Sequence, residues 1–119
     1  MTTIKKHLSE PWFSLVSVGK KTIEGRLNKG DFQKLKVGDH ITFYNSDLGF
    51  FEREVTVEII KIYNYNSFET LLIKKGLSKV LPTVTSIENG VKVYRNYYSV
   101  EDEKKYGILA IRMKKIEKK

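Results

Sequence analysis

The stretch Gly19-Lys20-Lys21-Thr22-Ile23-Glu24-Gly25-Arg26 decides how the chain is read. Glycine is the common residue just past a helix end, and Trp12, Leu15 and Val16 ahead of it fall on one helical face. The segment therefore reads as a helix stop followed by a strand. In the extended run over residues 22–27, Thr22, Glu24 and Arg26 share one face, while Ile23 and Leu27 share the other. Glu24 and Arg26 then lie roughly 7 Å apart between α-carbons. At that spacing they can orient each other and still present donors and an acceptor to a ligand. Arg26 offers a planar fork suited to phosphate or carboxylate, and Lys21 a mobile point charge. Gly25 leaves the opposite face with little bulk. As residues alone, the pair reads first as a surface Glu–Arg pair worth less than about 1 kcal/mol, with the ligand-facing arrangement as the alternative.

Working outward, residues 3–8 read as a strand, and Ser9 as the N-cap of the Trp12 helix, with Glu10 or Pro11 in its first turn. Residues 31–35 form a short helical turn. Val37-Gly38-Asp39 turns into a strand over residues 40–44, residues 45–49 make a hairpin loop, and residues 51–63 are the longest strand. There Val55, Val57 and Ile59 alternate with Glu54, Thr56 and Glu58. Ser67 starts a second helix carrying Phe68, Leu71 and Leu72, stopped by Gly76. Residues 77–82 read as a connector. Thr85 or Ser86 starts a third helix, on which Ile87, Val91, Tyr94 and Tyr98 make one stripe. Ser99 with Asp102 resembles a capping box. Residues 106–116 are the closing strand, Ile108 and Ala110 alternating against Leu109, Ile111 and Met113, and the basic residues 114–119 are expected to fray. Strands and helices do not alternate regularly, which excludes a doubly wound parallel sheet. The expected fold is α+β and mainly β: a small antiparallel barrel of five to six strands flanked by three helices.

A length of 119 residues suits one domain over residues 1–119. The absence of cysteine excludes disulfides, thiolate zinc sites and cysteine nucleophiles. His7 and His40 lie far apart and lack metal-ligand spacing, and Gly25 and Gly30 make neither a P-loop nor a dinucleotide fingerprint. No metal and no cofactor is expected. The N-terminus has no apolar stretch of signal-peptide type, and no apolar run approaches the roughly 20 residues of a membrane span. A cytoplasmic monomer without a membrane partner is expected. The formal net charge of +8, from 22 Lys and Arg against 14 Asp and Glu, creates a field that attracts polyanions. Plain solubility explains such a charge equally well.

Tyr94, Arg95, Tyr97 and Tyr98 gather three aromatics and a cation into five positions. Such a cluster can stack bases, while the helical spacing favours Tyr94 and Tyr98 as core, leaving Arg95 and Tyr97 facing out. Trp12 has the same two readings, core residue or floor of a base pocket.

Gly19, Lys21, Glu24 and Arg26 match the GxKxxExR signature of ASCH domains residue for residue. The Trp12-Phe13 helix, Leu35-Lys36-Val37-Gly38-Asp39, and the ending from Tyr97-Tyr98-Ser99 to Tyr106-Gly107-Ile108-Leu109-Ala110-Ile111 also look like one bacterial and viral ASCH subgroup. The resemblance covers nearly the whole chain. It implies a PUA-like barrel with a basic cleft beside the first helix, binding RNA or a nucleotide. Lys20, Lys21, Thr22, Glu24, Arg26, Trp12, Arg95 and Tyr97 are the binding candidates. The alternative is a hydrolase of nucleic-acid metabolism, a ribonuclease or a modified-nucleoside amidohydrolase, with Lys21 and Glu24 as its acid–base pair. One small branch of the family deacylates N4-acetylcytidine with a lysine, a threonine and a distant glutamate. Lys21 matches that lysine, but Glu24 stands where the threonine would be, so that mechanism does not carry over; by chain order the distant glutamate would be Glu88.

Overall fold

Alternating apolar residues place β4 (Arg53–Tyr65) at the centre of a five-stranded sheet, in a computed structural model that describes residues 1–117. The other strands are β1 (Thr3–His7), β2 (Ile23–Leu27), β3 (His40–Asn45) and β5 (Ile108–Lys115), in the order β1-β3-β4-β5-β2. The helices are α1 (Trp12–Ser17), α2 (Gly30–Gln33), α3 (Phe68–Lys75), α4 (Leu77–Val80), α5 (Ile87–Arg95) and α6 (Val100–Tyr106).

The α+β class and the five mainly antiparallel strands are as expected, but the expected barrel is open and carries more than three helices. β1 pairs with β3 in parallel, and the other three pairings are antiparallel. Strands β1 and β2 remain edges, so the sheet curls into an open half-barrel, with six helices among the described residues. A parallel pair needs a long crossover, and α1, β2 and α2 supply it between β1 and β3. At the open seam a side chain takes the place of a ladder: Arg26 Nη2 on β2 donates to the His7 carbonyl at the end of β1, at 3.2 Å. The extra helices are short, and α4 occupies the segment expected as a connector.

The sheet carries a core on each face. The inner one joins Phe13, Val16 and Phe32 to Ile41, Phe43, Val55, Val57, Ile59, Leu109, Ile111 and Met113. The outer one packs Phe68, Leu71 and Leu72 of α3, Val80, Leu81 and Tyr94 against Ile23, Leu27, Ile108 and Ala110. The strand β4 serves both. A register shift between Ile59 and Lys61 offsets the period-two alternation by one residue. Ile62 thereby joins Val55, Val57 and Ile59 on the inner side, and Tyr63 and Tyr65 meet the outer core.

Serine caps set three helix starts. Ser67, Ser86 and Ser99 accept from the backbone N–H of Thr70, Asn89 and Asp102. The expected Ser9 cap is corrected. The first helix starts after Pro11 with no side-chain cap; instead the Glu10 carboxylate accepts from Ser14 N at 2.9 Å and from its hydroxyl at 2.6 Å. The tail expected to fray from residue 114 begins inside the sheet. Lys114 and Lys115 pair with Glu58 and Val57 in the β4–β5 ladder, and Ile116 N donates to the Thr56 carbonyl at 2.9 Å. Residues 118 and 119 of that tail lie outside the described residues.

Candidate ligand-binding cleft

The half-barrel opens between its two edge strands, and a cleft of about 420 Å³ occupies the seam. Lys6 and His7 of β1, Glu24, Gly25 and Arg26 of β2, Trp12 of α1, and Tyr94, Tyr97 and Tyr98 at the end of α5 all line it. That volume lies within the usual range of small-molecule sites, roughly 300–1,000 Å³.

At its base the signature residues form a buried charge triad. Glu24 and Lys21 are 4% and 3% exposed, so the surface ion pair expected from local spacing is corrected to an interior one. Lys21 Nζ lies 3.3 Å from Glu24 Oε1 and donates to the carbonyls of Ile23, at 2.9 Å, and Val80. Three acceptors match the three N–H bonds of an ammonium. Its side chain also lies under Trp12, 5.9 Å from the ring centroid. Arg26 Nε donates to Glu24 Oε2 at 2.9 Å, and its guanidinium lies 4.8 Å from the Phe32 ring centroid.

Electrostatics follow from this packing. Burial pushes the Glu24 carboxyl upward, but the charges of Arg26 and then Lys21 outweigh it and hold the group below its ordinary range. Burial pushes the Lys21 ammonium down, opposed by Glu24. A carboxyl with a lowered folded-state pKa contributes stability above its unfolded value, and that contribution is lost as pH falls through the folded value. Acidification below about pH 4.5, the ordinary glutamate value, should therefore erode the unfolding free energy. Urea titrations at a series of acidic pH values read this directly. A Lys21→Met/Glu24→Leu variant should show a shallower loss, and an equal slope in the two proteins would remove Glu24 from the explanation.

Above the triad, Phe68 stacks on Tyr94 with centroids 4.0 Å apart and on Tyr98 at 5.3 Å. The Tyr94 hydroxyl is buried beside Gly25 and has no hydrogen-bond partner among the described residues. Burial, and next the Glu24 charge, raise its pKa well above the ordinary phenol value, so it stays protonated and able to donate. Ser9 and Tyr97 share a hydroxyl–hydroxyl hydrogen bond of 3.0 Å at the cleft.

The sequence candidates thus divide. Lys21, Glu24, Arg26, Trp12 and Tyr97 meet in the cleft. Lys20 is exposed outside it, and Thr22 lines a separate depression. Arg95, expected to face out toward a ligand, instead grips Glu103 through Nη2 at 3.0 and 3.1 Å, and Glu103 in turn accepts from the Phe68 N–H that opens α3. Glu88 is exposed and sits 3.6 Å from Lys92, away from the cleft. Lys21 is not the mobile point charge read from sequence, because every acceptor around it is internal. Sequence reasoning did not place Lys6, His7, Tyr94 or Tyr98 on the cleft wall; of these Tyr94, read with Tyr98 as a core stripe, carries the informative group. Its signal is a hydroxyl on a stripe that otherwise calls for hydrocarbon, since a buried phenol normally finds a partner.

Comparison with known proteins gives the same outline. Residues 7–117 match the ASCH domain family. The crystal structure of hypothetical protein PH0355 is 41% identical and superposes with a TM-score of 0.86, covering 97% of this chain and all of that one. The solution structure of protein PF0455 from Pyrococcus furiosus is 40% identical with a TM-score of 0.78, covering 98% of this chain and all of that one. No curated protein matches the chain. Among the described residues no helix is long and apolar enough to cross a membrane.

Proposed function

The chain belongs to the ASCH domain family, and from that premise we propose that the seam cleft takes up one nucleobase, from RNA or from a nucleotide. The observation that carries this reading is the Tyr94 hydroxyl, buried and unpartnered among the described residues in the wall of an aromatic-lined cleft. A buried hydroxyl without a partner costs free energy until a ligand supplies one. Glu24 and Arg26 supply complementary chemistry beside it. Each Glu24 oxygen accepts one internal N–H bond and retains a lone pair for a base amino or imino group. Aromatic surface from Trp12, Tyr97 and Tyr98 suits a flat heterocycle, stacking on such rings being worth about 1–3 kcal/mol per base.

The hydrolase alternative draws less support from the same atoms. A general base works best with a pKa near the working pH, whereas two cations hold Glu24 ionised and occupied. Lys21 has its donors committed to internal acceptors. In this reading Glu24 positions Arg26 and recognises a base rather than moving a proton.

Tyr94→Phe tests the proposal. Loss of a hydroxyl that has no internal partner should leave stability unchanged or raise it by up to about 1 kcal/mol. Affinity for the preferred nucleoside monophosphate, found by titrating the wild type with each of the common ones and with short single-stranded RNA, should fall by about 2- to 10-fold, one hydrogen bond's worth. Wild-type protein that binds none of these probes, or a variant that binds them equally well, would remove the cleft from consideration.

A further inference from the structure

Lys21 also stands in the wall of a second depression, of about 640 Å³, and this one is strongly basic. It receives Lys75 from the end of α3, Lys79 from α4, and Arg112, Lys114 and Lys115 from the C-terminal half of β5, around Tyr63 of β4. Among the described residues no acidic side chain lines it. Lys21 is already neutralised in the interior by Glu24, at 3.3 Å, and at the margin Glu58 faces Lys114 across the β4–β5 ladder while Glu117 Oε1 lies 3.9 Å from Lys115 Nζ. Lys115 also donates to the Ser17 carbonyl at 2.9 Å. Lys79, Arg112 and Lys114 are exposed. Lys75 Nζ sits over the Tyr63 ring, 3.3 Å from its centroid, and Lys61 Nζ is 5.0 Å from the same ring. The Tyr63 ring thus holds two ammonium groups beside four further cations, Lys79, Arg112, Lys114 and Lys115.

Like charges gathered around one concavity repel, and a surface meant only for solubility intersperses both signs. The arrangement favours a polyanion whose charges are spaced along a flexible chain. A flat anionic membrane meets a convex or planar basic face more readily than cations converging into a groove. Lys21, itself buried, lines both cleft and groove and so lies between them; an extended strand passing over it would meet both. We infer that this groove carries the phosphodiester backbone of a single-stranded RNA, one base of which enters the seam cleft. The inference builds on the nucleobase reading of that cleft and makes the ligand a polynucleotide rather than a free nucleotide.

The experiment compares wild type, a Lys79→Glu/Arg112→Glu/Lys114→Glu variant, its glutamine counterpart and Tyr94→Phe. Each is titrated with single-stranded RNA over a range of salt concentrations and with the matching nucleoside monophosphate. Charge reversal at the groove should weaken strand binding and flatten the plot of log affinity against log salt by about two, roughly 0.7 for each single-strand phosphate that is no longer neutralised. Monophosphate binding should not change. The glutamine variant should show the same flattening with a smaller loss of affinity, and it keeps the test available where charge reversal upsets folding. Strand binding that depends on the groove but not on Tyr94 supports the groove and sinks the cleft reading. Groove variants that bind RNA with wild-type affinity and salt slope overturn the inference, whatever the cleft does. Polyglutamate or phosphatidylserine vesicles competing as well as RNA of equal charge would overturn it too, assigning the groove to an acidic protein or to a lipid surface.

Discussion

Replacing Glu24 by alanine should destabilise the protein by about 3–5 kcal/mol, the usual cost of removing one partner from a buried ion pair. The side chains of Lys21 and Glu24 are 1% and 5% exposed, so neither charge can turn to bulk water when the other is lost. Without the carboxylate, Lys21 keeps two carbonyl acceptors but no counter-charge, and Arg26 loses the bond that orients its guanidinium. Two like charges would then face each other across the vacated site. Replacing the pair together, as Lys21→Met/Glu24→Leu, should recover more than half of the loss, because a buried ion pair and an apolar pair of similar volume are often close in stability. Urea unfolding of the single and double variants decides the matter. A Glu24→Ala loss below about 1 kcal/mol would mean that water reaches the triad, and the site would behave as a surface pair.

Gly25→Val should cost about 1–3 kcal/mol by overpacking and should also close the cleft. The reason lies in the approach of two side chains to the Gly25 α-carbon. A Cβ built there meets Leu71 Cδ2 at 2.6 Å and the Tyr94 hydroxyl at 2.8 Å. Leu71 is fully buried in the outer core and has nowhere to retreat. Tyr94 is stacked on Phe68, so displacing its ring disturbs the aromatic wall of the cleft. Gly25→Ala should show the same effects at smaller amplitude. Unfolding midpoints report the packing cost, and nucleotide titration reports the cleft. A Gly25→Val protein with wild-type stability and wild-type binding would show that Leu71 and Tyr94 yield freely, contrary to the close packing around them.

Much of the architecture was legible along the chain because its determinants lie within a few residues of one another. The period-two patterns of β4 and β5, the serine caps of α3, α5 and α6, and the glycine stops at Gly19 and Gly76 each depend on local backbone geometry. So does the sharing of one strand face by Glu24 and Arg26, which brings both to the cleft. The register shift in β4 was passed over, although the adjacent Ile59 and Ile60 mark the point where the apolar alternation changes phase. The partner of Arg95 was not legible: its position on α5 says which way it points, not that Glu103 from α6 will be there to hold it.

By itself the sequence determined the order and type of most elements, the apolar faces they bury, the excess of positive charge and the signature that marks the family. Tertiary structure alone decided which strand edges remain unpaired, and so that a cleft opens at a seam rather than inside a closed barrel. It turned a nominal surface pair into an interior triad, because the Val80 carbonyl arrives from a distant part of the chain and, with Trp12 of the neighbouring α1, covers Lys21 against water. It left the Tyr94 hydroxyl without a partner among the described residues, and it gathered lysines and an arginine from α3, α4 and β5 into one groove. The physical reason is that periodicity and capping are local, whereas desolvation and electrostatic fields are sums over whatever remote segments pack or point together.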